Sequence, residues 1–205
     1  MAIPQRKLQL MSEDEYLSNE RAANERHEFL NGEYIAMAGG TRWHNRLTGR
    51  LFSAILRHLE GKTCTPYIAD MRLYIESYHH YVYPDILVVC DEHAYIADDM
   101  VNDATIIIEV LSPRTEAYDR GRKFLHYQKL PSLREYVLVS QGMMQVELFR
   151  KNMHQKWEYE LWDQPTDMIS LVSIEFTMTL EELYRFMALK TSGTMTSDDL
   201  SDERT

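Results

Sequence analysis

Apolar residues recur at four-residue intervals between Trp43 and Leu59, within the segment TRWHNRLTGRLFSAILRHLEGK. This spacing places them on one face of an amphipathic helix, because 3.6 residues complete a helical turn. Thr41 is a typical N-cap residue, and Gly61 is typical of the position just beyond a helix end. The pattern therefore predicts one long helix that is capped by Thr41 and stops at Gly61.

Two shorter elements are predicted before this helix. Ser12 is followed three residues later by Glu15, which is the capping-box spacing at the start of a helix. Asn31 and Gly32 lie between two arms in which apolar and polar residues alternate. This dipeptide favours the tight turn of a β-hairpin. We therefore predict an N-terminal helix followed by a β-hairpin.

Three strand-like runs follow the long helix, at about Tyr67 to Glu76, Val82 to Cys90 and Thr105 to Leu111. A helical segment, TEAYDRGRKFLHYQKL, then ends before Pro131. The strands REYVLVS, QVELFRK and WEYELW come next, and the helix TLEELYRFMAL, capped by Thr179, closes the pattern. The runs ILVVC and IIIEV are almost entirely apolar, as expected for strands covered on both faces.

The predicted fold class is α/β or α+β, with a mixed β-sheet flanked by helices and with the N-terminal helix and hairpin added to it. Neither an internal repeat nor a linker divides the chain. We expect a single domain over residues 1–190 and an acidic, disordered tail over residues 191–205.

Composition agrees with a soluble globular protein, since 44% of the 205 residues are hydrophobic and 26% are charged. No apolar run approaches the roughly 20 residues that span a bilayer, and the N-terminus has no secretory signal pattern. Cys64 and Cys90 show no metal-binding spacing, so Cys90 is expected to be a buried thiol. A cytoplasmic location without membrane contact is the default expectation.

The net charge of −10, from 32 acidic and 22 basic residues, argues against general adhesion to nucleic acid. Two features weaken this argument. Part of the excess of acidic residues lies in the C-terminal tail, and carboxylates that bind a divalent metal ion are neutralised by it when the metal is bound. The clearest basic stripe lies on the long helix and consists of Arg42, Arg46, Arg50 and Arg57. Such a stripe is usually a solvated face, but it is a candidate for phosphate contacts.

Glu109 is the one ionisable residue in the run TIIIEVL, and a buried carboxylate needs a compensating charge or hydrogen bonds. If the second and third strand-like runs form an antiparallel hairpin, Glu109 lies opposite Ile86 and next to Asp85. Two carboxylates at that separation share either a proton or a hard cation. Pro84 fits the start of the strand, where no backbone donor is lost.

Lys123, on the following helix, can bring a positive charge to the same end of the sheet. Two acids and a lysine can hold Mg²⁺ and activate a water molecule for attack on a phosphodiester. The lysine orients that water, takes its proton or stabilises developing charge. An alternative stays open, because Asp119 and Lys123 have the i,i+4 spacing of an ordinary surface ion pair.

The segment YPDILVV, followed by IIIEVLSPRTEAYDRGRKFLHYQKLPSLREYVLV, resembles the PD-(D/E)XK nucleases of the restriction-endonuclease-like superfamily. SEDEYL, RHEFLNGEYIAMAGGTRWHNRL and QVELFRK extend the resemblance to its Uma family, over roughly residues 11–150. The resemblance implies that Asp85 and Glu109 are metal ligands, assisted by a carbonyl near Val110. Leu111 occupies the usual lysine position, and the resemblance suggests Lys123 as a migrated lysine.

Glu28 and His44 also match the family pattern. Glu28, in an E-x-x-x-G stretch, is a candidate third acid near the metal; otherwise it pairs with Arg26. His44, at the first turn of the long helix, is a weaker candidate, because a histidine there often makes only local hydrogen bonds.

Structural interpretations of the acids stay open as well. Asp85 can simply cap a strand, and Glu109 can pair with an arginine such as Arg72 or Arg114. Tyr127 is expected to contribute packing, and the segment YHHY is interpreted as an exposed hairpin tip.

The resemblance implies Mg²⁺- or Mn²⁺-dependent hydrolysis of DNA phosphodiester bonds, leaving a 5′-phosphate, and is compatible with a homodimer. One alternative is a catalytically inactive nuclease-fold module that binds nucleic acid or a protein partner. Another is a metal-dependent hydrolase that acts on RNA or on a small phosphodiester.

Overall fold

The computed structural model describes residues 10–37 and 39–187. The α-helices in these ranges are α1 (Glu13–Ala22), α2 (Arg42–Leu59), α3 (Glu116–Tyr118), α4 (Phe124–Tyr127) and α5 (Leu180–Tyr184). A π-helical turn, Asp119–Lys123, joins α3 to α4, so these three pieces form one helical segment. Within the described ranges, no helix is both long and apolar enough to cross a bilayer. The predicted acidic tail, residues 191–205, lies outside them.

Local sequence signals account for the helix starts, and these predictions are confirmed. The side chains and backbone amides of Ser12 and Glu15 form a reciprocal capping box at the start of α1. Thr179 begins a second capping box at the start of α5. The hydroxyl of Thr41 accepts a hydrogen bond from the His44 amide at 3.1 Å, so α2 begins where the sequence predicts it.

The strands form two six-stranded sheets and a small hairpin within the described residues. The central sheet contains, in spatial order, β12 (Trp157–Trp162), β11 (Val146–Lys151), β10 (Glu135–Ser140), β9 (Ile106–Leu111), β6 (Ile86–Val89) and β3 (Thr65–Ile68). The second sheet contains β2 (Glu33–Ala36), β1 (His27–Leu30), β5 (His80–Val82), β4 (Arg72–Ile75), β8 (Met100–Val101) and β7 (Tyr95–Ala97). The small hairpin pairs β13 (Met168–Leu171) with β14 (Phe176–Thr179).

The central sheet is mixed, because β9 and β10 are parallel whereas β9 and β6 are antiparallel. The predicted class, a mixed sheet flanked by helices with an N-terminal helix and hairpin, is confirmed. Asn31 and Gly32 both have positive φ, of 48° and 92°, as the turn between β1 and β2 requires.

The prediction of three consecutive long strands is wrong in one respect. The run from Tyr67 to Glu76 divides into β3 and β4, which belong to different sheets, and the next run divides between β5 and β6. Ala69, with a positive φ of 55°, lies at the first break. Pro84, which has no backbone N–H to donate, lies at the second. The short strands β7, β8, β13 and β14 were not indicated by periodicity.

The long amphipathic helix α2 covers one face of the central sheet. Its buried side chains pack against alternate residues of β6 and β9, and together they form the main core: Leu47, Leu51, Ile55, Leu59, Ile86, Val88, Ile106, Ile108 and Val110. The α3–α4 segment and the second sheet cover the opposite face, where Ile107 and Leu111 of β9 contact Tyr127 and its neighbours. Burial on both faces explains why β9 is apolar throughout except at one position.

The two cysteines form a disulfide, which corrects the prediction of a free buried thiol at Cys90. Thr65 pairs with Val89 across β3 and β6, so the next residues, Cys64 and Cys90, also face each other. Their Cα atoms are 4.1 Å apart. The pairing of β3 with β6 could not be inferred from sequence spacing, and so the cross-link was missed.

We expect this disulfide to stabilise the fold under oxidising conditions. It connects residues separated by 26 positions, for which the chain-entropy estimate is about 3.5 kcal/mol. Urea denaturation should show a difference of that size between the wild type and the variant Cys64→Ser/Cys90→Ser. Reductant should remove the difference, and equal stabilities without reductant would contradict the cross-link.

Candidate active site

A pocket of about 250 Å³ lies where the start of α2, the approach to β6, the end of β9 and the α3–α4 segment meet. All five residues that the sequence singled out line it: Glu28, His44, Asp85, Glu109 and Lys123. They come from five different parts of the chain, so only the tertiary structure brings them together.

Asp85 and Glu109 approach each other across the antiparallel pair of β6 and β9. Ile86 pairs with Ile108, which places Asp85 opposite Glu109; the predicted register, with Glu109 opposite Ile86, is therefore wrong by one residue. The amide of Val110 donates to Asp85 Oδ2 at 2.7 Å, and the amide of Asp85 donates to Glu109 Oε2 at 3.3 Å. Both carboxylates thus lie at the same end of the sheet, and each accepts a backbone hydrogen bond from the strand of the other or its approach.

Side chains alternate between the two faces of β9, and this alternation decides whether Glu109 faces α2 or the α3–α4 segment. Ile108 and Val110 pack towards α2, whereas Ile107 and Leu111 pack towards the α3–α4 segment. Because side chains alternate along a strand, Glu109 shares the second face. This geometry directs its carboxylate to the helical segment that carries Lys123.

Lys123 is buried, with 5% of its surface exposed, and its ammonium contacts three carboxylates. Its Nζ lies 3.0 Å from Glu28 Oε1, 3.2 Å from Glu109 Oε1 and 3.3 Å from Asp119 Oδ1. The ring of Tyr118 lies 5.5 Å from the same nitrogen. The alternative of an ordinary surface pair between Asp119 and Lys123 is therefore wrong, because both residues are buried.

The π-helical turn that contains Asp119 and Lys123 positions both side chains. Such turns are rare and occur mostly as single interruptions of α-helices, frequently at functional sites. The hydroxyl of Tyr136 donates to the carbonyl of Asp119 at 2.9 Å and so fixes the turn to β10. A turn of this kind cannot be inferred from helical periodicity, which treats the segment as regular.

The charges in the pocket shift one another's pKa values. Burial by itself lowers the pKa of Lys123, but the carboxylates of Glu109 and Glu28 outweigh burial and raise it well above its ordinary value. Lys123 is therefore an ammonium. Burial raises the pKa of Glu109, against the opposing effect of Lys123, and the charges of Asp119 and Asp85 add to the rise. Burial likewise raises the pKa of Asp119.

Two residues of this cluster were missed as site residues. The sequence predicts Asp119 only as a surface partner of Lys123, yet Asp119 lines the pocket. Tyr127 was assigned to packing, but its hydroxyl donates to Glu109 Oε1 at 2.8 Å. Asp119, Lys123 and Tyr127 recur at four-residue intervals, so they share one helix face. That spacing is the signal that could have indicated both residues.

His44 and Asp85 are in contact, since His44 Nε2 lies 3.1 Å from Asp85 Oδ2. Burial lowers the pKa of His44, but the hydrogen bond to Asp85 and its charge reverse this effect and raise the pKa. Together with the Val110 amide, the imidazole fixes the orientation of the Asp85 carboxylate. His44 thus makes more than the local hydrogen bonds of a helix start.

Two alternative pairings are not found: a solvent-exposed pair of Glu28 with Arg26, and a buried pair of Glu109 with Arg72. Arg26 pairs with Asp70 at 3.0 Å instead of with Glu28. Arg72 donates to the Tyr83 hydroxyl at 2.8 Å and lies 3.3 Å from Asp99. Neither arginine therefore neutralises the acids of the pocket.

The donor groups of the pocket fit a hard divalent cation. Carboxylates from Glu28, Glu109 and Asp119 surround one ammonium, and the carboxylate of Asp85 lines the same pocket. Oδ1 of Asp119 is buried and accepts no hydrogen bond, although Lys123 Nζ lies 3.3 Å away. Mg²⁺ prefers carboxylate oxygens and keeps several waters. Within residues 10–37 and 39–187, no three histidine, cysteine or acidic side chains form a ready-made metal cage. A cation would therefore take few ligands from the protein, with water and substrate completing its coordination.

Behind the pocket, two histidines form a buried pair, which corrects the interpretation of YHHY as an exposed tip. His80 is fully buried, and its Nδ1 lies 2.9 Å from Nδ1 of His126. Its Nε2 lies 3.0 Å from the hydroxyl of Tyr118, which lines the pocket. One proton must lie between the two Nδ1 atoms, so both rings cannot be imidazolium together. Burial and the neighbouring His126 lower the pKa of His80 to about 3.

This low pKa predicts acid destabilisation. Below the ordinary histidine pKa of about 6.5, the unfolded chain binds a proton that folded His80 does not, so stability is lost as the pH falls towards the folded value. Between pH 7 and pH 5 the loss from His80 is about 2 kcal/mol. Urea denaturation should show a shallower pH slope for His80→Gln and an unchanged slope for His154→Gln, an exposed position. Identical pH slopes in the wild type and in both variants would contradict the low pKa of His80.

Comparison with known proteins shows which family the chain belongs to. The model of the Uma2 family, described as "Putative restriction endonuclease", matches residues 13–181. "Uncharacterized protein slr1290" from Synechocystis sp. is 35% identical over 87% of this chain and 93% of its own length. A second Synechocystis protein, "Uncharacterized protein sll1609", is 33% identical over 72% of this chain and 85% of its own.

One solved structure has a similar fold. It is described as a "putative nuclease belonging to DUF820" from Anabaena variabilis, and it covers 86% of this chain and 98% of its own length with a TM-score of 0.70. At 19% identity this likeness concerns the fold alone. The family model covers most of the chain, and the chain therefore belongs to the Uma2 family, which is described as "Putative restriction endonuclease".

Proposed function

We propose that the pocket is the active site of an endonuclease that uses Mg²⁺ or Mn²⁺ to hydrolyse DNA phosphodiester bonds. Membership of a restriction endonuclease family supports nuclease activity in general terms. The finer assignment rests on one observation: a buried ammonium, Lys123, is surrounded by Glu28, Glu109 and Asp119 beside the carboxylate of Asp85.

Asp85 and Glu109 would hold the cation, and Glu28 and Asp119 would hold its waters or complete its ligands. When bound, the cation lowers the pKa of a coordinated water and offsets charge on the phosphate. The hydrogen bond from His44 orients Asp85, and the hydroxyl of Tyr127 orients Glu109. These contacts hold both ligands in place before substrate binds.

Lys123 would orient the attacking water or stabilise charge that develops on the phosphate. Leu111 occupies the usual lysine position of the motif and is buried in the core. Lys123 instead reaches Glu109 from the neighbouring helical segment, at 3.2 Å. This contact supports a migrated lysine, because an ammonium next to the second acid is what the chemistry requires.

Calorimetry with Mn²⁺ tests the metal site separately from catalysis. We expect the wild type to bind Mn²⁺ and Glu109→Gln to bind at least about tenfold more weakly, since a charged ligand is lost. Glu116→Gln is the matched control, because Glu116 is an exposed acid on the same segment that contacts Arg120. Equal affinities in the wild type and Glu109→Gln would refute Glu109 as a ligand.

Mn²⁺ binding without cleavage of plasmid DNA, single-stranded DNA or RNA would favour the alternative of an inactive binding module. Preferential cleavage of RNA would favour the second alternative. The homodimer remains part of the proposal, and sedimentation analysis of the purified chain tests it.

A further inference from the structure

The arginines of α2 lie on one side of the helix, opposite the central sheet. With 3.6 residues per turn, Arg42, Arg46, Arg50 and Arg57 fall within an arc of about 80°. The buried residues of the helix occupy the other side: Leu47, Thr48, Leu51, Ile55 and Leu59. Four cations therefore point away from the core along a single row.

These four arginines make no ion pair with a carboxylate among residues 10–37 and 39–187. Arg42 instead lies 4.6 Å from the centre of the Trp43 ring, and Arg46 lies 4.2 Å from the centre of the Phe186 ring. Stacking on a ring holds a guanidinium in place while leaving its N–H groups free to donate. Arg50 donates a hydrogen bond to the backbone carbonyl of Glu182. A row of arginines without carboxylate partners is unexpected in a chain of net charge −10.

The cations also repel one another. Burial lowers the pKa of Arg50, and the charges of Arg185, Arg57 and Arg46 lower it further, against the opposing charge of Glu182. Arg185, which follows α5, therefore belongs to the same surface. We name this surface the arginine patch: Arg42, Arg46, Arg50, Arg57 and Arg185. Repulsion within the patch is relieved when a polyanion supplies negative charge, so binding of an anion would be favourable.

The arginine patch begins next to the pocket. Arg42 directly follows Thr41, which lines the pocket, so the row starts at the pocket and runs along α2. From Arg42 to Arg57 the helix rises about 22 Å. Duplex DNA carries a phosphate charge about every 1.7 Å along its axis, so a row of this length can contact several phosphates of the duplex.

We propose that the arginine patch binds the sugar–phosphate backbone of duplex DNA and leads one strand to the pocket. The choice of DNA as the bound substrate rests on the proposed endonuclease function, whereas binding itself does not require cleavage. The contacts are to phosphates, so they position the duplex without reading its sequence.

Fluorescence anisotropy with a labelled 20-base-pair duplex, in EDTA, tests this proposal without metal chemistry. The patch variant is Arg42→Gln/Arg46→Gln. The control variant is Arg134→Gln/Lys156→Gln, which removes two exposed cations elsewhere and changes the net charge equally. Titrations at several salt concentrations give the number of phosphates neutralised.

We expect the patch variant to bind at least about tenfold more weakly than the wild type at low salt, with a salt slope reduced by about two. The control variant should bind within about twofold of the wild type. The proposal is overturned if the two variants lose affinity equally, if the wild type does not bind the duplex, or if it prefers RNA or single-stranded DNA of the same sequence.

These outcomes separate the patch from the active site. Asp85→Asn should bind the duplex at least as tightly as the wild type, since Asp85 is not part of the patch and its replacement removes a negative charge. Normal binding without any cleavage would leave the patch intact and refute the endonuclease. Cleavage that is unaffected in the patch variant, together with unchanged binding, would refute the patch alone.

Discussion

Replacing Lys123 with methionine is expected to lower the free energy of unfolding by about 3–5 kcal/mol in metal-free buffer. The methionine preserves much of the packing but removes the charge that compensates Glu28, Glu109 and Asp119. Three buried carboxylates are then left without a cation, and desolvation of such groups is costly. Urea denaturation in EDTA measures the loss.

A matched control is available in Lys156, an exposed lysine on the turn before β12. Lys156→Met should change stability by no more than about 0.5 kcal/mol. Mn²⁺ should restore part of the stability of Lys123→Met, because a divalent cation replaces the missing charge among the same acids. If Lys123→Met were as stable as Lys156→Met, the buried charge cluster would not exist in solution.

Replacing Asp85 with asparagine is expected to reduce metal-dependent cleavage by about 100-fold or more, since loss of a ligand should exceed the effect of losing one of its hydrogen-bond partners. The fold should remain, because the asparagine carbonyl can still accept the hydrogen bond from the Val110 amide. A plasmid-nicking assay with Mg²⁺ or Mn²⁺ measures the first effect, and thermal unfolding measures the second.

Asp70→Asn serves as the control, because Asp70 is an exposed acid that pairs with Arg26 at the surface. It should cleave like the wild type. Full activity in Asp85→Asn would show that the cleavage comes from another site or from a contaminant. Loss of activity accompanied by a large fall in the unfolding temperature would instead mean that Asp85 is needed for the fold.

Both predictions depend on a cluster that the sequence indicated only in part. Glu109 was indicated because one carboxylate in an apolar strand must be compensated, and this inference needs no knowledge of the partner. The partner was harder to assign. Lys123 could be placed on the right helix, but an i,i+4 acid offered an equally simple surface pair.

The pairing register of β6 and β9 determines which side chains meet in the pocket. The predicted pairing was wrong by one residue, because the length of the connection between the strands does not fix where pairing begins. In a sheet a one-residue shift moves a side chain to the other face. The structure places Asp85 opposite Glu109, so the two carboxylates meet more directly than predicted.

The sequence by itself determined the helix starts, the hairpin turn, the apolar strands and the need for charge beside Glu109, because each follows from neighbouring residues. Only the tertiary structure decided the division of the strands between two sheets, the disulfide from Cys64 to Cys90, the buried histidine pair and the inclusion of Asp119. These features join residues far apart in the chain or depend on a π-helical turn. Local periodicity carries no information about such contacts, since they arise only when separate elements pack together.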